Sequence, residues 1–219
     1  MTPKLFLLNG MGGGPQIVRK LVPLLPRCEL VEWMSPKNGA SIPEYARQLA
    51  ERIETDQPCD VLGVSFGGII AQELAPLIGA KHCFVVSSIN SASELSFGVK
   101  TMRMLPAEAR ISMMKSAGRI ASAWPRRPSS ATVRLRKFDN DDGPWFCWAT
   151  SAVLGWKPTQ ACGGECVVRI HGDRDETFPA GADRADHVIG GAGHMLALTH
   201  AEILAAIVMK YRTKPGGSR

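Results

Sequence analysis

The chain has 219 residues, 45% of them hydrophobic and 21% charged, with a formal net charge of +6. That length suits one domain with a full apolar core, and the balance is that of an ordinary soluble globular protein. No apolar run approaches the ~20 residues a membrane span needs, and the short N-terminal run before the glycine cluster reads as a first strand rather than a signal peptide.

In chain order, short apolar segments alternate with helix-like ones. Strands are predicted over 4–8, 29–33, 60–64, 82–87, 166–171 and 186–189. Helices are predicted over 16–24, 42–54, 67–77 and 200–211. The second helix has a marked start: Ser41 can cap it, Pro43 falls in the first turn, and Glu44 completes a capping box. Its apolar residues Tyr45, Ala46, Leu49, Ala50 and Ile53 recur with the helical period. Such alternation predicts an α/β fold, a parallel sheet of about six strands with helices on both faces.

The fourth and fifth strands are far apart, and a crossover needs much less chain. Residues 96–159 therefore read as a helical cap inserted into a body formed by 1–95 and 160–213, with 214–219 a disordered tail. Within the cap, one helix opens at Leu105-Pro106-Ala107-Glu108. A second starts after Asp141-Asp142-Gly143-Pro144 and carries Trp145, Trp148 and Trp156. Met102, Met104, Met113 and Met114 lie in the same insertion, where flexible thioethers suit either an adaptable acyl pocket or the packing of the cap on the body. The three tryptophans read first as core, with Trp148 and Met113 kept as pocket candidates.

Charge is concentrated in this insertion. Between Phe97 and Lys137 stand ten Lys or Arg and one acid, Glu108. The bland meaning is a solvated surface, and the functional one is attraction to an anionic substrate or an acidic carrier protein. No nucleic-acid-reading motif accompanies the charge. The cysteines, Cys28, Cys59, Cys83, Cys147, Cys162 and Cys166, form no C-x-x-C pair and no zinc-site spacing. They read as reduced thiols of a cytoplasmic protein, and no metal or organic cofactor is implied.

Chemistry gathers at three strand ends. Ser65 stands in Gly63-Val64-Ser65-Phe66-Gly67, after one predicted strand and before a helix. A G-x-S-x-G elbow of this kind holds the serine hydroxyl out above the sheet edge. A lone hydroxyl is a poor nucleophile and needs a base. His194, on the loop Gly190-Gly191-Ala192-Gly193-His194, is the candidate. His82 opens a strand, His187 lies inside one and His200 starts the last helix, so these fit worse. Asp173 and Asp175 follow the fifth strand in His171-Gly172-Asp173-Arg174-Asp175, and either carboxylate could orient the base. His171 reads as a maker of structural hydrogen bonds in that loop. The glycine cluster after the first strand fits no nucleotide-binding fingerprint, lacking both a ribose-binding acid and a following Gly-Lys-Ser/Thr.

The elbow at 63–68, the loop H-G-D-R-D-E-T-F-P at 171–179 and the loop at 190–194 resemble the nucleophile, acid and histidine segments of the α/β-hydrolase fold superfamily, and they stand in its chain order. Leu7-Leu8-Asn9-Gly10-Met11-Gly12-Gly13 resembles its oxyanion loop, with Asn9 in place of the usual His. The resemblance covers the chain outside about 95–160. It implies strand order 2-1-3-4-5-6 without the two N-terminal antiparallel strands of larger members. It favours Asp175 over Asp173 as the acid, and implies backbone N–H groups of Met11 and Phe66 as the oxyanion hole, with Asn9 and Gly10 beside the pocket. The activity it implies is that of a small capped serine hydrolase of carboxylesterase type, cleaving a small-molecule ester or acyl thioester through an acyl-enzyme. Acyl transfer, lyase chemistry or ligand binding without turnover on the same fold stay open.

Overall fold

The computed structural model describes residues 2–11, 14–55, 57–95, 109, 143–159 and 167–213. Six strands, β1 (Lys4–Leu8), β2 (Cys28–Val31), β3 (Cys59–Val64), β4 (Cys83–Val86), β5 (Val167–Gly172) and β6 (His187–Ile189), form one sheet. Their order is β2-β1-β3-β4-β5-β6 and every pairing is parallel, the order implied by the resemblance. The helices are α1 (Ile42–Ala50), α2 (Phe66–Leu77), α3 (Gly143–Gly155), α4 (Leu196–Thr199) and α5 (Ala201–Arg212).

The central strands bury both faces, which is why they read as unbroken apolar runs. In β3, Val61 faces a core shared with α1, α2 and α3, while Leu62 and Val64 face a second core shared with α5. In β4 the same alternation sends Cys83 and Val85 one way and Phe84 and Val86 the other. At the head of α1, the Glu44 carboxylate accepts the Ser41 N–H and the Ser41 hydroxyl, each at 2.7 Å. Helix α1 stops at Ala50 rather than at residue 54. The N–H groups of Arg52 and Ile53 reach only to Leu49 and Ala50, the tighter turn that often closes a helix.

The helix expected over 16–24 is replaced by two 3₁₀ turns, Gly14–Ile17 and Val22–Leu24. Pro23 lacks the N–H that a continuous helix would need there, and its ring crowds the preceding turn. The apolar spacing that suggested a helix still serves burial, because Ile17, Val18, Leu21 and Leu25 all sit in the second core. Of the insertion, α3 and the residues to Thr159 are described. The first cap helix, all four cap methionines, the basic run 97–137 except Ala109, Cys162, Cys166 and the tail 214–219 lie outside the described residues. The cysteines that are described, Cys28, Cys59, Cys83 and Cys147, are free thiols. No helix among the described residues is long and apolar enough to cross a membrane.

Candidate active site

Ser65 caps α2 in a left-handed conformation, φ 53° and ψ −118°, which a side chain rarely adopts without support. Support comes from three hydrogen bonds. The Ser65 N–H donates to Val86 O at 2.9 Å, and Ser65 O accepts from Gly68 N at 2.9 Å and from Ser88 Oγ at 2.7 Å. The flanking glycines are required by close approach. A Cβ at Gly63 would lie 2.1 Å from Gly67 O, and one at Gly67 would lie 2.3 Å from Leu8 O. The turn is thus clamped between β3 and the loop after β1, with the serine side chain left at the C-terminal edge of the sheet, where ligands of open α/β sheets bind.

His194 Nε2 stands 2.9 Å from Ser65 Oγ. Its Nδ1 faces both oxygens of Asp175, at 2.9 Å and 3.1 Å. A carboxylate can only accept, so Nδ1 carries the proton and Nε2 keeps its lone pair for the Ser65 O–H. The Phe178 ring meets the His194 ring edge-on at 5.2 Å between centroids. Asp175 is buried, 3% exposed. Its Oδ1 accepts the N–H groups of Thr177 at 2.9 Å and Phe178 at 3.0 Å, and its Oδ2 lies 3.0 Å from His171 Nε2. Burial pushes the carboxyl upward. The hydrogen bonds from His171 and His194, the His194 charge and the Phe178 N–H outweigh it, leaving Asp175 well below the usual carboxylate range.

Asp173 does something else. Its Oδ1 accepts the Gly191 N–H at 2.7 Å and so ties the acid loop to the loop that carries His194. The two aspartates of one short loop face different groups, one the ring of His194 and one the Gly191 N–H of the loop that carries it. His171 is more than a general maker of loop bonds, because one of its contacts is with Asp175 itself.

The loop after β1 packs against the elbow. A Cβ on Gly10 would come 3.4 Å from Ser65 Cβ, in ordinary contact. Asn9 is buried, and its side-chain carbonyl accepts the Gly10 N–H at 2.8 Å, which shapes this loop from inside. Phe66 opens α2, so its N–H belongs to the first turn, whose donors have no acceptor within the helix, and the helix dipole favours negative charge there. Met11 is half-buried, with its sulfur 4.0 Å from Thr150 Oγ1 on α3.

Helix α3 adds an aromatic wall. Phe66, the residue after Ser65, is ringed by Trp33 at 5.5 Å, Trp145 at 5.4 Å and Trp148 at 6.1 Å. Trp148 is half-buried, packs against the Tyr45 ring at a 45° tilt with centroids 4.5 Å apart, and donates its indole N–H to Ala40 O at 2.6 Å. Beyond the far end of α3, the buried Glu73 of α2 accepts from Trp156 Nε1 at 2.8 Å, from the Thr159 N–H at 3.1 Å and from the Thr159 hydroxyl. The wall is therefore latched to the body at both ends. Met113 lies outside the described residues. The nitrogens facing Asp175 carry protons, so no lone pairs converge there on a cation, and no metal-ligand set occurs among the described residues. A cleft of about 430 Å³ lies away from this site, lined by Lys4, Arg27, Cys28 and Cys59 at the N-terminal edge of the sheet. Ser65, His194 and Asp175 do not line it, so their convergence, rather than cleft size, marks the candidate site.

No protein-family model matches the chain. A curated relative, a pimeloyl-[acyl-carrier protein] methyl ester esterase of Aromatoleum aromaticum (strain DSM 19018 / LMG 30748 / EbN1), is 31% identical over 114 residues. That match spans 44% of this chain and 45% of the relative, less than half of each. Among solved structures, ClbQ from the colibactin NRPS/PKS pathway superposes with a TM-score of 0.65 at 17% identity, covering 96% of both chains. The enol-lactonase from Burkholderia xenovorans LB400 gives 0.65 at 14% identity, covering 98% of this chain and 92% of that one. The carboxylesterase CesB (YbfK) from Bacillus subtilis gives 0.60 at 15% identity, covering 99% and 85%. At these identities the likeness is one of fold.

Proposed function

We propose that this chain, which has the α/β-hydrolase fold, is a serine hydrolase that cleaves a carboxylic ester or thioester. One observation carries the reading. Ser65 Oγ, His194 and the buried Asp175 form an unbroken hydrogen-bonded line with contacts of 2.9 Å at each step. In this reading Ser65 Oγ attacks the substrate carbonyl carbon while His194 Nε2 takes its proton. The oxyanion is met by the N–H groups of Phe66 and Met11. Collapse breaks the C–O or C–S bond, and His194 returns the proton to the leaving alcohol or thiol. Water then attacks the acyl-enzyme, again losing a proton to His194, and the acid leaves as Ser65 regains its hydrogen. Asp175 holds the imidazole and offsets the charge it acquires. Asn9, Gly10, Trp148 and Met113 are carried as pocket residues.

The relative named a pimeloyl-[acyl-carrier protein] methyl ester esterase, together with the basic run 97–137, supports an acyl ester borne by an acidic carrier, and a cytoplasmic setting goes with that. The test is hydrolysis of p-nitrophenyl esters of graded acyl length by the wild type and by Ser65→Ala. Wild-type turnover that falls by several orders of magnitude in the variant is expected, since residues of such a unit act together. A variant that keeps more than about a tenth of the wild-type rate would refute Ser65 as nucleophile. Acyl transfer to an added alcohol with little free acid would favour a transferase instead.

A further inference from the structure

The hydrolase reading gives tasks to Ser65, His194 and Asp175 and leaves a second buried histidine against the same carboxylate. His171, in β5, is 3% exposed. Its Nε2 stands 3.0 Å from Asp175 Oδ2 and 3.0 Å from Phe178 O. Both neighbours are acceptors, so that nitrogen carries a hydrogen; it is hydrogen-bonded to Phe178 O, with Asp175 Oδ2 within ion-pair distance of the same N–H. The same oxygen, Oδ2, is thus approached by His171 from β5 at 3.0 Å and by His194 Nδ1 at 2.9 Å.

We propose that His171 is a positioning residue of this site: its Nε2–H holds the Asp175 carboxylate in the rotamer that serves His194 Nδ1 and draws off part of the carboxylate's charge. The inference rests on the hydrolase reading. The groups that face Asp175 support it. His171 comes from β5 and His194 from the loop after β6. On its own loop Asp173, Arg174 and Glu176 are exposed, and Asp173 is turned to Gly191. Asp183 and Arg184, beyond Phe178, are exposed as well. No fixed cation touches the carboxylate among the described residues, so donors that carry no permanent charge set how strongly it attracts a proton to His194. The motif H-x-x-x-D at 171–175 was visible in the sequence, but nothing in it said that the histidine turns onto the aspartate rather than away.

Three measurements test this. In wild-type protein carrying ¹⁵N-labelled histidine, the Nε2 of His171 is expected to be protonated at every pH at which the protein is folded. A bare Nε2 overturns the proposal without any variant. In His171→Phe, which keeps a ring and removes the donor, kcat should fall roughly ten- to hundredfold, the worth of one hydrogen bond to a charged group. KM should be unchanged. The acidic limb of kcat/KM should move up by roughly one pH unit, because an uncompensated Asp175 holds a proton on His194 more firmly. His171→Gln, which restores an N–H donor, should recover most of the rate and return the limb toward the wild type. A His171→Phe enzyme with wild-type kcat and acidic limb overturns the proposal. So does a Gln variant that folds but shows no recovery over Phe. If the Phe variant does not fold, the ¹⁵N result and the Gln limb decide. A wild type that hydrolyses esters but has a bare Nε2 defeats this inference alone. A wild type inert to esters and to fluorophosphonate defeats the hydrolase reading, whatever the tautomer.

Discussion

Two carboxylates are buried at opposite edges of the same sheet. At the N-terminal edge, Asp60 of β3 meets Arg212 Nε at 3.1 Å and His82 Nδ1 at 2.8 Å. The terminal nitrogens of Arg212 donate to Pro26 O at 3.1 Å, Pro3 O at 2.5 Å and Met209 Sδ at 3.8 Å. Here a guanidinium that never loses its charge cancels the carboxylate and staples α5, β3 and the N-terminal strand together. At the C-terminal edge, Asp175 has two histidines and two backbone N–H groups for company. None of these is a permanent cation, and in the proposed hydrolase mechanism the negative charge answers a proton arriving on His194. Both carboxylates are buried. The kind of partner differs: a permanent cation ties the fold together at one end, and the proposed mechanism uses the charge that histidines and backbone N–H groups leave at the other.

Substitutions at the two ends should therefore fail in different ways. The largest effect is expected for Asp175→Asn, with kcat falling on the order of 10⁴-fold because the orienting acceptor and its charge are lost together. Steady-state kinetics on a chromogenic ester reads it, and the protein should still melt cooperatively. Next comes Asp60→Ala, which leaves Arg212 buried and unpaired and should cost about 3–5 kcal/mol in urea unfolding, with kcat per folded molecule unchanged. An Asp60 variant that is stable but inactive would erase the contrast.

A third test concerns the thiol at the N-terminal edge. Burial pushes Cys28 up to about 11, against a smaller lowering by Arg212, so it is protonated at neutral pH. Alkylation by iodoacetamide at pH 8 should run roughly a hundredfold slower than for a free thiol. The smallest effect is expected for Asp173→Asn, which keeps an oxygen to accept the Gly191 N–H and should change kcat only a few-fold, about 1 kcal/mol or less. If it outweighs Asp175→Asn, the two roles are reversed.

The pH dependence of stability has a definite sign. Asp175 is held below its unfolded value, so its contribution is present above that value, about 4, and is lost as pH falls toward the folded one. The stability gap between wild type and Asp175→Asn should be full at neutral pH and close below about pH 4.

Most of the frame was legible in the sequence. The six strands were found to within a residue or two because buried parallel strands are continuous apolar runs, and glycines mark the turns that bring Ser65 and His194 within 2.9 Å of each other. What was not legible depended on distance or direction. Asp173 and Asp175 share a loop, and only the direction of each carboxylate separates them. Arg212 meets Asp60 across 152 positions of chain, and no local pattern announces it. The ring around Phe66 draws Trp145 and Trp148 from α3 and Trp33 from the chain after β2, so residue type said core without saying what the rings would surround. The stretch 16–24 misled because its apolar spacing suits a helix and 3₁₀ turns alike, while Pro23 decides between them.

The most direct measurement is the rate at which a fluorophosphonate probe modifies Ser65, followed by intact mass and peptide mapping, in wild type, Asp175→Asn and Asp60→Asn, at a temperature where all three are folded. The account predicts one adduct per wild-type chain, on Ser65. It predicts at least a hundredfold slower labelling of Asp175→Asn, since the base has lost its charge partner, and a wild-type rate for Asp60→Asn. Labelling of Asp175→Asn at the wild-type rate, or an Asp60→Asn protein slowed as much as it, would contradict the division between the two carboxylates.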